Sequence, residues 1–116
     1  MAIYTTLDVY KAAYDLLLAL YKELKDVPRD TKFTLVQDMK LDVKMIMRLI
    51  YRANASKEKG PVIAEAREIT ENVKIGLRIL KDLGHLSVKK YIYFAEKAEE
   101  VSKQLAGWHK YANREK

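Results

Sequence analysis

Four cations, Lys40, Lys44, Arg48 and Arg52, follow one another at intervals of four residues. On a helix that spacing stacks them along one side, where neighbouring like charges repel by about 0.2–0.5 kcal/mol per pair. Such a row adds nothing to folding stability. The chemistry it suits is contact with the phosphates of a polyanion, which supplies affinity with little sequence information. A solvated helix face is the plainer reading, and Asp38 and Asp42 flank the start of the row. Yet residues 45–57 contain no acidic group, while Arg48, Arg52 and Lys57 accumulate there. Tyr51, between Arg48 and Arg52, is the one aromatic placed to stack on a base. The row is otherwise free of interleaved aromatics, which argues for phosphate contact over base reading. Lys74, Arg78 and Lys81 add to the field if their helix lies alongside.

No other constellation offers chemistry. His85 and His109 have neither Glu-x-x-His nor His-x-x-x-His spacing to hold a metal. The chain has no cysteine, so thiolate chemistry and disulfides are excluded. Its four glycines are isolated, with none of the spacing of a phosphate-cradling loop. Glu65, Glu68 and Glu71 open a helix, where the dipole favours acids. The expectation is a protein with no catalytic residues, no metal and no cofactor.

The 116 residues make one domain, residues 1–116, large enough to bury a real core. Apolar residues are 49% and charged residues 33%, which excludes a disordered tail. The longest apolar run, residues 16–21, falls far short of the roughly 20 residues that span a bilayer. Asp8, Lys11 and Asp15 break any signal-peptide core, and a cytoplasmic location is expected. The net charge of +6 is unevenly spread: residues 28–60 carry eight basic and four acidic groups, and residues 85–116 seven and four. The asymmetry favours an anionic partner such as nucleic acid.

The elements that must position these groups are four helices, expected at about 6–27, 34–56, 61–83 and 87–111. Thr6 is a candidate N-cap of the first. Leu7, Tyr10, Tyr14, Leu17, Tyr21 and Leu24 follow the 3-4-3-4-3 seam of a packed helix, which Pro28 ends. The second helix starts near Thr34, after the polar stretch 29–32, and buries Leu35, Met39, Val43, Ile46, Leu49, Ile50 and Ala53. Pro61 suits the first position of the third, and Gly84 its left-handed stop. Ser87 caps the fourth, whose seam runs through Tyr91, Phe94, Ala98, Val101, Leu105 and Trp108. Gly76 and Gly107 fall inside helices, each costing about 1 kcal/mol against alanine. They read as sites of close helix approach or as drift. Four helices joined by short loops make an all-α, up-down-up-down four-helix bundle.

The first helix is greasier than that bundle needs. Of residues 7–27, 14 are apolar or tyrosine. A second seam, Val9, Ala13, Leu16 and Leu20, lies beside the first, whereas a helix burying one face shows a stripe of roughly 100°. The surplus is expected to form a subunit interface in a homo-oligomer.

Several stretches are together distinctive: Tyr14-Asp15-Leu16-Leu17-Leu18, Val27-Pro28-Arg29, Phe33-Thr34-Leu35, Gln37-Asp38-Met39 and Gly107-Trp108. The chain resembles, over nearly its whole length, the Avd family of accessory variability determinants of diversity-generating retroelements. That family lies within a group of small four-helix proteins that includes those encoded in ribosomal-RNA intervening sequences. Val36 stands where the family pattern places glycine. The resemblance implies a non-enzymatic homopentameric barrel with a basic exterior. It also implies association with the retroelement's reverse transcriptase and its RNA, in the complex that makes error-rich complementary DNA. Two alternatives stay open: a general RNA-binding bundle of the intervening-sequence type, and an adaptor whose basic face meets an acidic protein. A neighbouring reverse-transcriptase gene with a template/variable repeat pair separates the first reading from both.

Overall fold

The computed structural model describes residues 3–114 and is helical throughout them, with no strand. Helix α1 is Asp8–Glu23, α2 covers residues 29–55, α3 is Lys59–Asp82 and α4 is Val88–Arg114. The short connections force antiparallel neighbours. Each helix packs on the next, and α4 closes the square against α1 in a rod of 46 × 20 × 19 Å. Its core contains Leu16, Leu20, Ile46, Leu77, Phe94 and Leu105, all under 2% exposed. The one buried polar side chain among the described residues, Thr70, donates its hydroxyl to the Ala66 carbonyl at 2.8 Å.

The helix ends differ from expectation in instructive ways. Thr6 does not cap α1: it closes a 3-10 turn, Tyr4–Thr6, donating its hydroxyl to the Ile3 carbonyl at 2.7 Å. Helix α1 stops at Glu23, short of Pro28, and Leu24 leaves helical geometry. Helix α2 starts at Arg29 rather than Thr34, with Pro28, which has no N–H to satisfy, at its N-cap. Arg29–Thr31 leads into a π-helical turn, Lys32–Val36, and then into Gln37–Ala55. The backbone stays in the right-handed helical region at Thr31, Lys32, Val36 and Gln37, so the helix is continuous. Thr34 donates its hydroxyl to the Asp30 carbonyl at 2.7 Å within this stretch. Val36 is fully buried where the family pattern places glycine. Pro61 is the third residue of α3, still in the first turn where no intrahelical N–H bond is lost.

Other ends match the sequence reading. Gly84 has φ +81°, and the N–H groups of Gly84 and His85 bond the Lys81 and Leu80 carbonyls at 2.9 Å. That is a Schellman motif, which needs a residue tolerant of the left-handed region. The Lys90 N–H donates to the Ser87 hydroxyl at 3.1 Å, capping α4.

The subunit-interface assignment is corrected by the packing. Val9, Ala13, Leu16 and Leu20 are at most 5% exposed within a single chain, so they form its core and leave nothing for a neighbour. The other seam is split: Leu17 and Leu24 are buried, Leu7 and Tyr10 are half-buried, and Tyr14 and Tyr21 are exposed. The seam of small and branched aliphatics turns inward because it packs closely and has no polar atom to satisfy. A tyrosine keeps its hydroxyl in water most cheaply at the edge.

The two helical glycines have different roles. A Cβ on Gly76 would come within 2.7 Å of Met39 Sδ and 2.8 Å of its Cγ, so α2 and α3 approach through that gap. A Cβ on Gly107 meets nothing within 4 Å. Gly107→Ala is expected to raise stability by about 0.5–1 kcal/mol. Gly76→Ala is expected to lower it by about 1 kcal/mol, since overpacking outweighs the same propensity gain. Urea denaturation of the two variants side by side checks both signs.

Candidate nucleic-acid interface

Lys40, Lys44, Arg48 and Arg52 stand on the α1-facing edge and outer side of α2. Lys40 is half-buried, and the other three are exposed. Among the described residues, no carboxylate forms a salt bridge with any of the four. Asp42 lies two positions from both Lys40 and Lys44, hence about 160° around the helix. Burial, and then the charge of Asp38, pushes its carboxyl above the usual range. The acids of α2 therefore leave the ladder unneutralised.

What the ladder does meet is aromatic. Lys40 Nζ sits 4.1 Å from the Tyr21 ring centroid, and Lys44 Nζ 5.7 Å from it. At the other end Tyr4 packs edge-on against Tyr51, with centroids 5.0 Å apart, and edge-on against Tyr10 at 5.4 Å. Tyr10 in turn lies parallel to Tyr14 at 6.4 Å. Arg48 lines a groove with Tyr4, Tyr10, Met47 and Tyr51. The expectation of a ladder without interleaved aromatics is thus corrected, because α1 lays its outer tyrosine seam alongside α2. The three tyrosines, Tyr10, Tyr14 and Tyr21, share one face of α1 at intervals of four and seven residues. The sequence reading placed them in a packed seam without showing that α2 lies beside them.

Hydrogen bonding from the Lys44 ammonium favours the tyrosinate and holds the Tyr21 phenol below the ordinary value of 10.0. Partial desolvation opposes this, and the charges of Lys44 and Lys40 reinforce it. Because the folded pKa is depressed, the stabilisation is full above 10.0 and is lost as pH falls through the folded value, leaving none at neutrality. An alkaline titration followed by tyrosinate absorbance should show one early-titrating group. It should be lost in Tyr21→Phe and moved upward in Lys44→Gln.

The third-helix cations are not brought to this face. Lys74 bridges Glu71 at 3.2 Å and Glu99 of α4 at 2.9 Å, in the α3–α4 groove opposite the ladder. Burial alone pulls Lys74 down, but hydrogen bonds and charge from Glu99 and Glu71 outweigh it and raise its pKa. Arg78 pairs with Asp82 at 3.2 Å, and Lys81 lies over the Tyr91 ring at 5.2 Å. All three are occupied within the α3–α4 half of the bundle. Trp108 packs against the core, as its place in the α4 seam suggested. Arg67 Nη1 and His109 Nδ1 lie 3.0 Å apart. Among the described residues no group of His, Asp and Glu is arranged to hold a metal ion, and no helix is long and apolar enough to cross a membrane.

One further lysine matters, and its role was not legible in the sequence. Lys59, the first residue of α3, donates to the carbonyls of Ala53, Asn54 and Ser56 at 2.9, 3.1 and 2.8 Å. It satisfies the open C-terminal end of α2, directly below Arg52.

These features define a class: a four-helix bundle with a row of four cations on one helix, none of them salt-bridged among the described residues, laid beside the tyrosines of another. The bAvd-like family model matches residues 8–112, and the chain belongs to that family. No curated protein matches it. Membership supports an accessory role of the Avd kind.

Proposed function

We propose that the protein is a non-enzymatic accessory factor of a diversity-generating retroelement. It binds the element's reverse transcriptase and nucleic acid, and supports mutagenic synthesis of complementary DNA in the cytoplasm. The observation that carries this reading is the ladder of α2: four cations in a row without a carboxylate partner, on a member of the bAvd-like family. Repulsion within the row works against stability, and only Lys40 and Lys44 meet a ring that offsets it, whereas phosphate contact gives all four a reason to be kept. The role asks for no catalytic group, metal or cofactor from this chain.

The assembly that fits the role is a homo-oligomer, in the first instance a pentamer, which repeats the ladder around a ring. Its contacts must use surfaces other than the inner seam of α1. The reading is tested by co-purification with the neighbouring reverse transcriptase, with and without RNase, while light scattering measures the mass. Capture of the polymerase and a mass several times 13.5 kDa are expected. A monomer that ignores the polymerase would overturn the proposal.

A further inference from the structure

The proposed function asks only phosphate contacts of the ladder, but the rings beside it add a second chemistry. Tyr51 is 54% exposed and Tyr14 46% exposed. Both leave aromatic surface exposed: Tyr51 shares a groove with Arg48, and Tyr14 lies in the same α1 stripe between Tyr10 and Tyr21, in a neighbouring groove with Lys11 and Asp15. Tyr51 is touched edge-to-face by Tyr4, a contact that fixes a ring while leaving much of it uncovered. Tyr14 is backed by the nearly parallel Tyr10, with 8° between their planes, which supports one side and leaves the other outward. Arg48 lines the same groove as Tyr4, Tyr10 and Tyr51, so a guanidinium and three aromatic rings share one recess. Tyr21 differs, since Lys40 lies over its ring.

We propose that the α1–α2 face binds single-stranded nucleic acid, with the ladder holding phosphates while Tyr14 and Tyr51 stack on unpaired bases. The inference rests on the nucleic-acid reading of the ladder and narrows it. A duplex offers the same phosphates but keeps its bases in its own stack, so only a strand with free bases engages both halves of the face. Every base has a π-face, and stacking is therefore tolerant of sequence. The selectivity is for strandedness, and RNA and DNA single strands both qualify because neither ring reads the sugar.

The test uses the full-length protein and short mixed-sequence oligonucleotides, RNA and DNA in parallel. Each is offered as single strand, as duplex, and as an abasic strand of equal charge. The wild type should prefer the base-bearing single strand over the abasic one by at least about 25-fold, the low end of stacking by two rings. Tyr14→Ala and Tyr51→Ala should each remove about fivefold or more of single-strand affinity while the salt slope holds, because no phosphate contact is lost. Tyr14→Phe and Tyr51→Phe should restore it. Equal binding of abasic and base-bearing strands overturns stacking and leaves the ladder reading intact. Absence of binding to any of the three at low salt overturns the nucleic-acid reading itself. Dissociation of the assembly in the alanine variants, with wild-type binding per chain retained, makes the face a contact between copies and also overturns the proposal.

Discussion

Replacing Lys40, Lys44, Arg48 and Arg52 together by glutamine is expected to weaken binding of RNA and DNA across all sequences alike. Contacts to phosphate carry no base information, so no sequence should be spared. Each contact removed flattens the log–log salt dependence by roughly 0.7 for single strands and 0.9 for duplex DNA. Four contacts therefore take about 3 units from the slope, with a loss of affinity on the order of tenfold to a hundredfold at moderate salt. Folding should survive with little change. Three like-charge repulsions disappear, worth about 0.6–1.5 kcal/mol together. Loss of Lys40 from the Tyr21 ring costs a similar amount, about 0.5–1 kcal/mol for an exposed cation–π contact. An unchanged affinity and salt slope in a folded quadruple variant would remove the site. Normal nucleic-acid binding with loss of the polymerase alone would make the ladder a protein-docking face.

The second large effect is on stability and follows from which seam of α1 lies inside. Leu20→Ala should destabilise the folded chain by about 2–5 kcal/mol, as expected for a fully buried leucine with neighbours on every side. In a domain of this size that lowers Tm by roughly 10 °C or more. Tyr14→Ala, on the outer seam, should move Tm by only a few degrees. Had Leu20 lain at a subunit contact, its truncation would have weakened assembly at dilute concentration and spared the chain's own fold. Thermal unfolding at two protein concentrations separates the two cases.

Much of the architecture was legible because bundle helices obey one rule, an apolar stripe at 3.6-residue spacing broken by short polar turns. Gly84 and Ser87 were readable because few residues suit a left-handed stop or an N-cap. Periodicity could not rank the two neighbouring seams of α1, since Tyr10-Tyr14-Leu17-Tyr21 and Val9-Ala13-Leu16-Leu20 have similar spacing. Side-chain chemistry ranks them: the inner seam is small and aliphatic, while in the other the tyrosines keep their hydroxyls at the edge and Leu17 turns in. Residues 29–32 looked like a loop because they have no apolar stripe. They lie at the exposed end of the bundle, where a helix needs none. The π turn at Lys32–Val36 leaves no compositional trace, because it comes from fitting one extra residue between two packed stretches. The ladder itself was visible from spacing alone. Its aromatic companions were not, since they come from another helix and only packing lays them side by side.

The three carbonyl bonds of Lys59 bear on how the far end of the ladder moves. The last turn of a helix ordinarily frays on fast timescales, and Tyr51 and Arg52 sit within one turn of that end. Stitched to the first residue of the next helix, the backbone amides there should exchange with deuterium nearly as slowly as those around Lys44. In Lys59→Met the same amides should exchange faster while the centre of the helix keeps its protection. A ligand reaching this end then meets side chains on a scaffold ordered in advance. The backbone entropy of placing Arg48, Tyr51 and Arg52 along one side is lost when the chain folds, and is not charged again against each encounter.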